Sequence, residues 1–210
     1  MDIGVDSNMD IYRDLDLIAE EVRRCTRCPL HRGRLNAVPG EGSPKTSIMF
    51  IGEAPGRMED IKGRPFVGRA GKLLTALLNS IGIKREEVFI TNVVKCRPPD
   101  NRDPSEYEIG RCLPYLRRQI QVIKPKLIVA LGRHSARTIL AEAGRSFRGI
   151  NRDRGSIKSI NLYGVDTNLL ITYHPAAALY NPSLRNYLEA DFKKIRRFIE
   201  GGHPTLDDYL

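Results

Sequence analysis

Thr46-Ser47-Ile48-Met49-Phe50-Ile51-Gly52-Glu53-Ala54-Pro55-Gly56 is an apolar run broken by a turn rich in glycine and proline. That is the pattern of a buried strand whose carboxyl end opens into a loop. Three further runs read as strands: Val88 to Val94, Leu127 to Leu131 and Asn168 to Thr172. Around them, apolar residues at helical spacing predict helices over about 10–24, 69–81, 105–122, 134–143 and 184–200. Apolar strands alternating with helices predict an α/β fold, a short four-stranded parallel sheet flanked by helices on both faces. In such sheets a ligand lies beyond the carboxyl ends of the strands. Three unusual segments converge there: Gly52 to Gly56, Thr91-Asn92 and Tyr173-His174-Pro175.

At 210 residues the chain suits one domain over residues 1–202, followed by a short tail at 203–210. The amino end, Met1 to Asn8, is acidic and polar, unlike a signal peptide. No apolar run approaches the roughly 18–20 residues that span a bilayer. A soluble cytoplasmic monomer, associated with the nucleoid, is the expectation. Lys and Arg number 34 against 25 Asp and Glu, a net charge of +9. That surplus suits a polyanion such as nucleic acid, although basic residues also serve solubility alone.

The four cysteines fall as Cys25-x2-Cys28, 67 intervening residues, then Cys96-x15-Cys112. Nothing else in the chain points to secretion, so disulfides are disfavoured. Four thiolates suit zinc or an iron–sulfur cluster, and the spacing does not choose between them. Closing the long loop costs roughly 3–4 kcal/mol of chain entropy, which metal coordination can offset, so a shared site would act as a staple.

Gly52-Glu53-Ala54-Pro55-Gly56 with Glu59-Asp60, then Gly63-Arg64-Pro65-Phe66-Val67-Gly68-Arg69-Ala70-Gly71, resembles the family 4 uracil-DNA glycosylases. So do Thr91-Asn92-Val93-Val94-Lys95-Cys96-Arg97-Pro98-Pro99 and Thr172-Tyr173-His174-Pro175-Ala176. With the cysteines, the resemblance runs from about residue 10 to 200. It implies a DNA-repair enzyme that removes uracil from DNA, with a [4Fe–4S] cluster on Cys25, Cys28, Cys96 and Cys112.

The resemblance also suggests roles. Phe66 would stack on the extruded base, although a phenylalanine here could equally be core. Asn92 would read the uracil edge, unless it merely turns the chain at a strand end. His174 would donate to uracil O2 as the base departs, while His31, His134 and His203 receive no role. Either Glu53 would orient the attacking water, or a water held by backbone would attack a sugar cation already stabilised by the leaving uracilate and DNA phosphates. In the best-known branch of the superfamily an Asp at the position of Ala54 is credited with that task, and Ala54 cannot perform it. Gly52 and Ala54 would line the base site with backbone. Glu59 would occupy space left by Gly56 and exclude the thymine methyl group. One of Leu179, Tyr180 and Arg185 would press into the minor groove. Gly63 and Gly68 have the spacing of a phosphate-binding P-loop, but Arg69 stands where that loop needs Lys, so that motif is rejected.

The tail His203 to Leu210 resembles the peptide that docks on the PCNA sliding clamp, with Leu206, Tyr209 and Leu210 as anchors. Two rival readings remain at this stage: a non-catalytic DNA-binding module stapled by zinc, and a superfamily glycosylase acting on other bases.

Overall fold

A computed structural model describes residues 7–201. The clamp-docking segment expected at 203–210 lies outside the described residues. Helix α1 (Ser7–Arg24) leads through a long loop to β1 (Glu41–Gly42) and β2 (Ile48–Gly52). Then come α2 (Arg57–Lys62), α3 (Arg69–Ser80), β3 (Phe89–Asn92), α4 (Glu106–Ile123) and β4 (Leu127–Leu131). The chain closes with α5 (Arg133–Glu142), α6 (Ile150–Asp153), β5 (Ile157–Leu162), β6 (Val165–Thr172), α7 (Pro175–Tyr180) and α8 (Leu184–Ile199).

The sheet has six strands in the order β1-β3-β2-β4-β6-β5. Its centre, β3-β2-β4-β6, is the parallel four-stranded sheet expected from the sequence. The expectation of only four strands is corrected at both edges, where β1 and β5 add antiparallel pairs. Both escape an apolar-run reading for physical reasons. Strand β1 is two residues long, and β5 (Ile-Lys-Ser-Ile-Asn-Leu) buries Ile160 and Leu162 while turning Ser159 and Asn161 to solvent. A two-residue hairpin joins β5 to β6 through Tyr163 and Gly164, whose φ values of 58° and 82° match the twist of the strands.

Alternation along β2 divides the core. Met49 and Ile51 face one side, with Ile18 and Val22 of α1, Tyr115, Leu116 and Ile120 of α4, and Ile139 of α5. Ile48 and Phe50 face the other, with Leu74 and Leu78 of α3 and Leu188, Phe192 and Ile195 of α8. Each fully buried aliphatic or aromatic side chain contributes about 1.5–3 kcal/mol relative to exposure. Every residue of β2, β3 and β4 is buried, as covering on both faces demands. Among the described residues no helix is long and apolar enough to cross a membrane.

The sequence-predicted strand 88–94 stops at Asn92. The Val93 N–H donates to the Gly52 carbonyl at 2.9 Å, and the Val94 N–H to the Glu53 carbonyl at 2.9 Å. These bonds carry β3 off the sheet and pin the Gly52–Gly56 turn beside it. Helix α4 then begins at a reciprocal cap: Ser105 Oγ accepts from the Glu108 N–H, and the Glu108 carboxylate accepts from the Ser105 N–H.

Candidate functional site

At the carboxyl ends of β2, β3 and β6 lies a cleft of about 320 Å³, with Glu53, Phe66, Asn92 and His174 among its lining residues. The size fits a small planar ring better than an extended polymer, and a strand-end position is where the topology directs a ligand.

Asn92, 1% exposed, ends β3. Its Oδ1 is the one buried side-chain oxygen or nitrogen among the described residues with no hydrogen-bond partner. A buried polar atom left unpaired costs about 1–3 kcal/mol, so this one is held ready for an external donor. Gly52 makes room for it: a Cβ there would stand 2.3 Å from Asn92 Oδ1 and 2.7 Å from the Phe66 ring. Gly52 therefore sits behind the lining and shapes it. From below, the ammonium of Lys95 donates to the Asn92 carbonyl at 2.8 Å, to Thr91 Oγ1 at 2.6 Å and to Gln119 Oε1 at 2.7 Å. Complete burial lowers the Lys95 pKa to about 7.

Phe66 adopts a left-handed backbone, φ 49°, rare for an aromatic residue and costing about 1–3 kcal/mol. The surroundings impose it. Arg85 donates to the Phe66 carbonyl at 3.1 Å and to the Pro65 carbonyl, while pairing with Glu41 at 2.8 Å. Glu59 Oε1 accepts from the Val67 N–H at 2.9 Å and the Gly68 N–H at 2.8 Å. The second Glu59 oxygen lies 2.9 Å from where a Cβ at Gly56 would stand, so the carboxylate fills that space at the cleft wall. Glu59 thus braces the loop that carries the Phe66 ring.

His174 N-caps α7, its Nδ1 accepting the Ala176 N–H at 3.1 Å. With Nδ1 an acceptor, the neutral ring carries its proton on Nε2. Burial lowers its pKa to about 4, so it is uncharged near neutrality. The imidazole and Phe66 ring centroids are 5.5 Å apart.

Glu53 has a carboxyl pKa raised to about 7, first by burial and then by the negative charge of Asp103, with Arg133 opposing. His134 Nε2 stands 3.9 Å from Glu53 Oε2 and 3.2 Å from Asp103 Oδ2. Sequence reasoning passed over His134 and Asp103, although His134 lies just beyond β4 and the strand-end rule that singled out His174 applies to it. Asp103 carried no motif. It enters the cleft with Asn101 and Arg102 because the loop from Pro98 folds back over Glu53. Ala54 lines the cleft without a titratable group. Of the three groove-contact candidates, Tyr180 is 89% exposed at the end of α7, whereas Arg185 is paired with Glu189 at 2.9 Å.

The four cysteines converge beside the first half of α4, lining a second, small cavity with Arg34 and Tyr115. None is in a disulfide. Each sulfur has an N–H donor: Arg27 N on Cys25 at 3.5 Å, Leu30 N on Cys28, Arg34 on Cys96 at 3.0 Å, and Lys95 N on Cys112 at 3.2 Å. Such donors suit metal-bound thiolates. Among the described residues no three cysteine sulfurs fall within 4.8 Å of one another.

The uracil DNA glycosylase superfamily model matches residues 39–198. A type-4 uracil-DNA glycosylase of Saccharolobus solfataricus is 55% identical over 198 residues, covering 94% of this chain and 92% of the relative. The type-4 uracil-DNA glycosylase of Sulfurisphaera tokodaii is 56% identical, covering 93% and 90%. That of Archaeoglobus fulgidus is 50% identical, covering 93% and 98%.

The bracing role of Glu59 has a direct readout. In Glu59→Ala the Val67 and Gly68 amides lose their acceptor, at about 1–3 kcal/mol. Native-state hydrogen exchange at those two amides is expected to accelerate at least about tenfold, with α8 amides unchanged. Unchanged exchange at residues 67 and 68 would contradict it.

Proposed function

The chain belongs to the type-4 branch of the uracil-DNA glycosylase superfamily, and from that premise we propose that it extrudes uracil from DNA and hydrolyses its N-glycosidic bond, leaving an abasic site. The unpartnered Asn92 Oδ1 carries this reading. Uracil presents an N3–H donor beside an O4 acceptor, complementary to one amide held in one orientation. Cytosine presents an acceptor at N3 and a donor at N4, so it would leave buried polar atoms unpaired at about 1–3 kcal/mol each. Stacking on Phe66 would contribute roughly 1–3 kcal/mol against the few kcal/mol of extrusion. Glu59, filling the wall beside Gly56, would bar the thymine methyl group. Exposed Tyr180 would enter the groove to hold the duplex open.

As the C1′–N1 bond breaks, its electron pair leaves on the uracil, and negative charge develops at O2. The Nε2–H of neutral His174 would donate there, an interaction strongest in the transition state. Water forms the new bond to C1′, and Glu53 would orient it and take its proton. Gly52 and Ala54 contribute backbone and space only. The rival reading of a non-catalytic module leaves the arrangement of Glu53, Phe66, Asn92 and His174 around one cleft without a use.

Cys25, Cys28, Cys96 and Cys112 would hold a [4Fe–4S] cluster, a fit supported by their convergence on one cavity and by an N–H donor on each sulfur. Bound there, the cluster would supply iron–thiolate bonds that staple the end of α1 to α4, and no step of the hydrolysis uses it.

A uracil-containing oligonucleotide treated with the protein and then alkali is expected to break at the uracil, with thymine and cytosine controls intact. Asn92→Ala should lose at least about 100-fold in single-turnover rate, two hydrogen bonds being removed. Equal cleavage by the variant would overturn the reading.

Because Glu53 must be ionised to act, its raised pKa sets the sign: the rate is expected to rise with pH through about 7. Glu53→Gln should lower the rate far more than DNA affinity and abolish that rise. A rate and profile matching the unsubstituted protein would remove Glu53 from the mechanism.

The purified protein should be brown and absorb visible light, losing both in Cys96→Ala. A colourless, active, zinc-containing protein would exclude the cluster.

A further inference from the structure

We infer that Asp103 is a positioning residue for the hydrolytic water, acting on it through Glu53. The inference rests on Glu53 having the role proposed above. Its grounds are geometric. Glu53, Asp103 and His134 bring one ligand atom each to within 4.8 Å of one another, the sole such trio among the described residues. They come from three separate segments: the turn after β2, the loop before α4 and the first turn of α5. His134 Nε2 lies between the carboxylates, 3.2 Å from Asp103 Oδ2 and 3.9 Å from Glu53 Oε2.

The surrounding charges are few. Arg133 Nε donates to His134 Nε2 at 2.9 Å, and Arg133 also reaches Asp103 at 3.7 Å. Arg137 of α5 acts on His134 from behind. Arg102, Glu59 and His174 complete the charged and titratable groups of the cleft lining. Arg102 is engaged with Glu108 at 2.7 Å and Glu59 with the Phe66 loop, so neither is free to partner Glu53. Glu53 therefore answers to a negative neighbour, Asp103, with Arg133 opposing. Burial and the two arginines hold His134 below the usual imidazole range, so the ring adds no charge there near neutrality. Two facing carboxylates raise each other's affinity for protons.

Removing the Asp103 charge has a definite sign. Single-turnover uracil excision is measured with enzyme in saturating excess from about pH 5 to about pH 9. Asp103→Asn removes the repelling charge, so the acid limb should move down by about half a pH unit or more. A purely structural residue would lower the rate equally at every pH and leave the limb where it was. A limb unmoved or moved up in Asp103→Asn overturns the inference. Glu53→Gln separates this failure from that of the underlying reading. If Glu53→Gln keeps the acid limb, Glu53 is not the titrating group and the reading itself fails. If Glu53→Gln loses it while Asp103→Asn leaves it in place, only the role of Asp103 falls.

Discussion

A buried amide oxygen with nothing to accept from is unfavourable in the folded protein, and Asn92 Oδ1 is kept in that state by its neighbours. Gly52 leaves the space, the Phe66 ring closes one side, and Lys95 fixes the backbone from beneath. The molecule tolerates a second local cost in the left-handed Phe66. Both costs fall on one cleft, and on the proposed reading both would be relieved or used when a flat ring with a suitably placed N–H enters it. The energetic logic would then be preorganisation: the groups proposed to recognise the base are ordered before it arrives.

The remainder of the structure serves that arrangement. Four parallel strands end at a common edge, so the turns after β2, β3 and β6 meet without any long loop having to be ordered alone. Gln119 of α4 accepts from Lys95 and donates to the Pro39 carbonyl at 2.8 Å, linking the end of β3 to the helix that carries Cys112. The Lys95 N–H also donates to Cys112 at 3.2 Å, so one residue joins the Asn92 strand end to the cysteine cavity. In the proposed mechanism neutral His174 would donate to the leaving base, while Glu53, with its pKa raised to about 7, would handle water.

Much of this was legible in the sequence, and the exceptions have causes. Leu127 to Leu131 could be nothing but a strand buried on both faces, and the central sheet followed from such runs. Strand β5 was hidden because an edge strand exposes half its residues, so Lys158, Ser159 and Asn161 mask the pattern. The cysteine spacing pointed to a metal without choosing between zinc and an iron–sulfur cluster, because four thiolates suit both. Phe66, Asn92 and His174 lay in recognisable motifs and His134 stood just beyond a strand end, whereas Asp103 meets Glu53 only through the path of the loop from Pro98. No local pattern encodes that meeting. Glu59, expected to act by bulk beside Gly56, also anchors two amides of the Phe66 loop, a role invisible without coordinates.

The account is tested most directly by a structure of the protein bound to DNA carrying a uridine whose glycosidic bond cannot be cleaved. The base should lie in the cleft on the Phe66 ring, with its N3 about 3 Å from Asn92 Oδ1. A base left in the duplex stack, or seated elsewhere while Asn92 Oδ1 stays unpartnered, would contradict it.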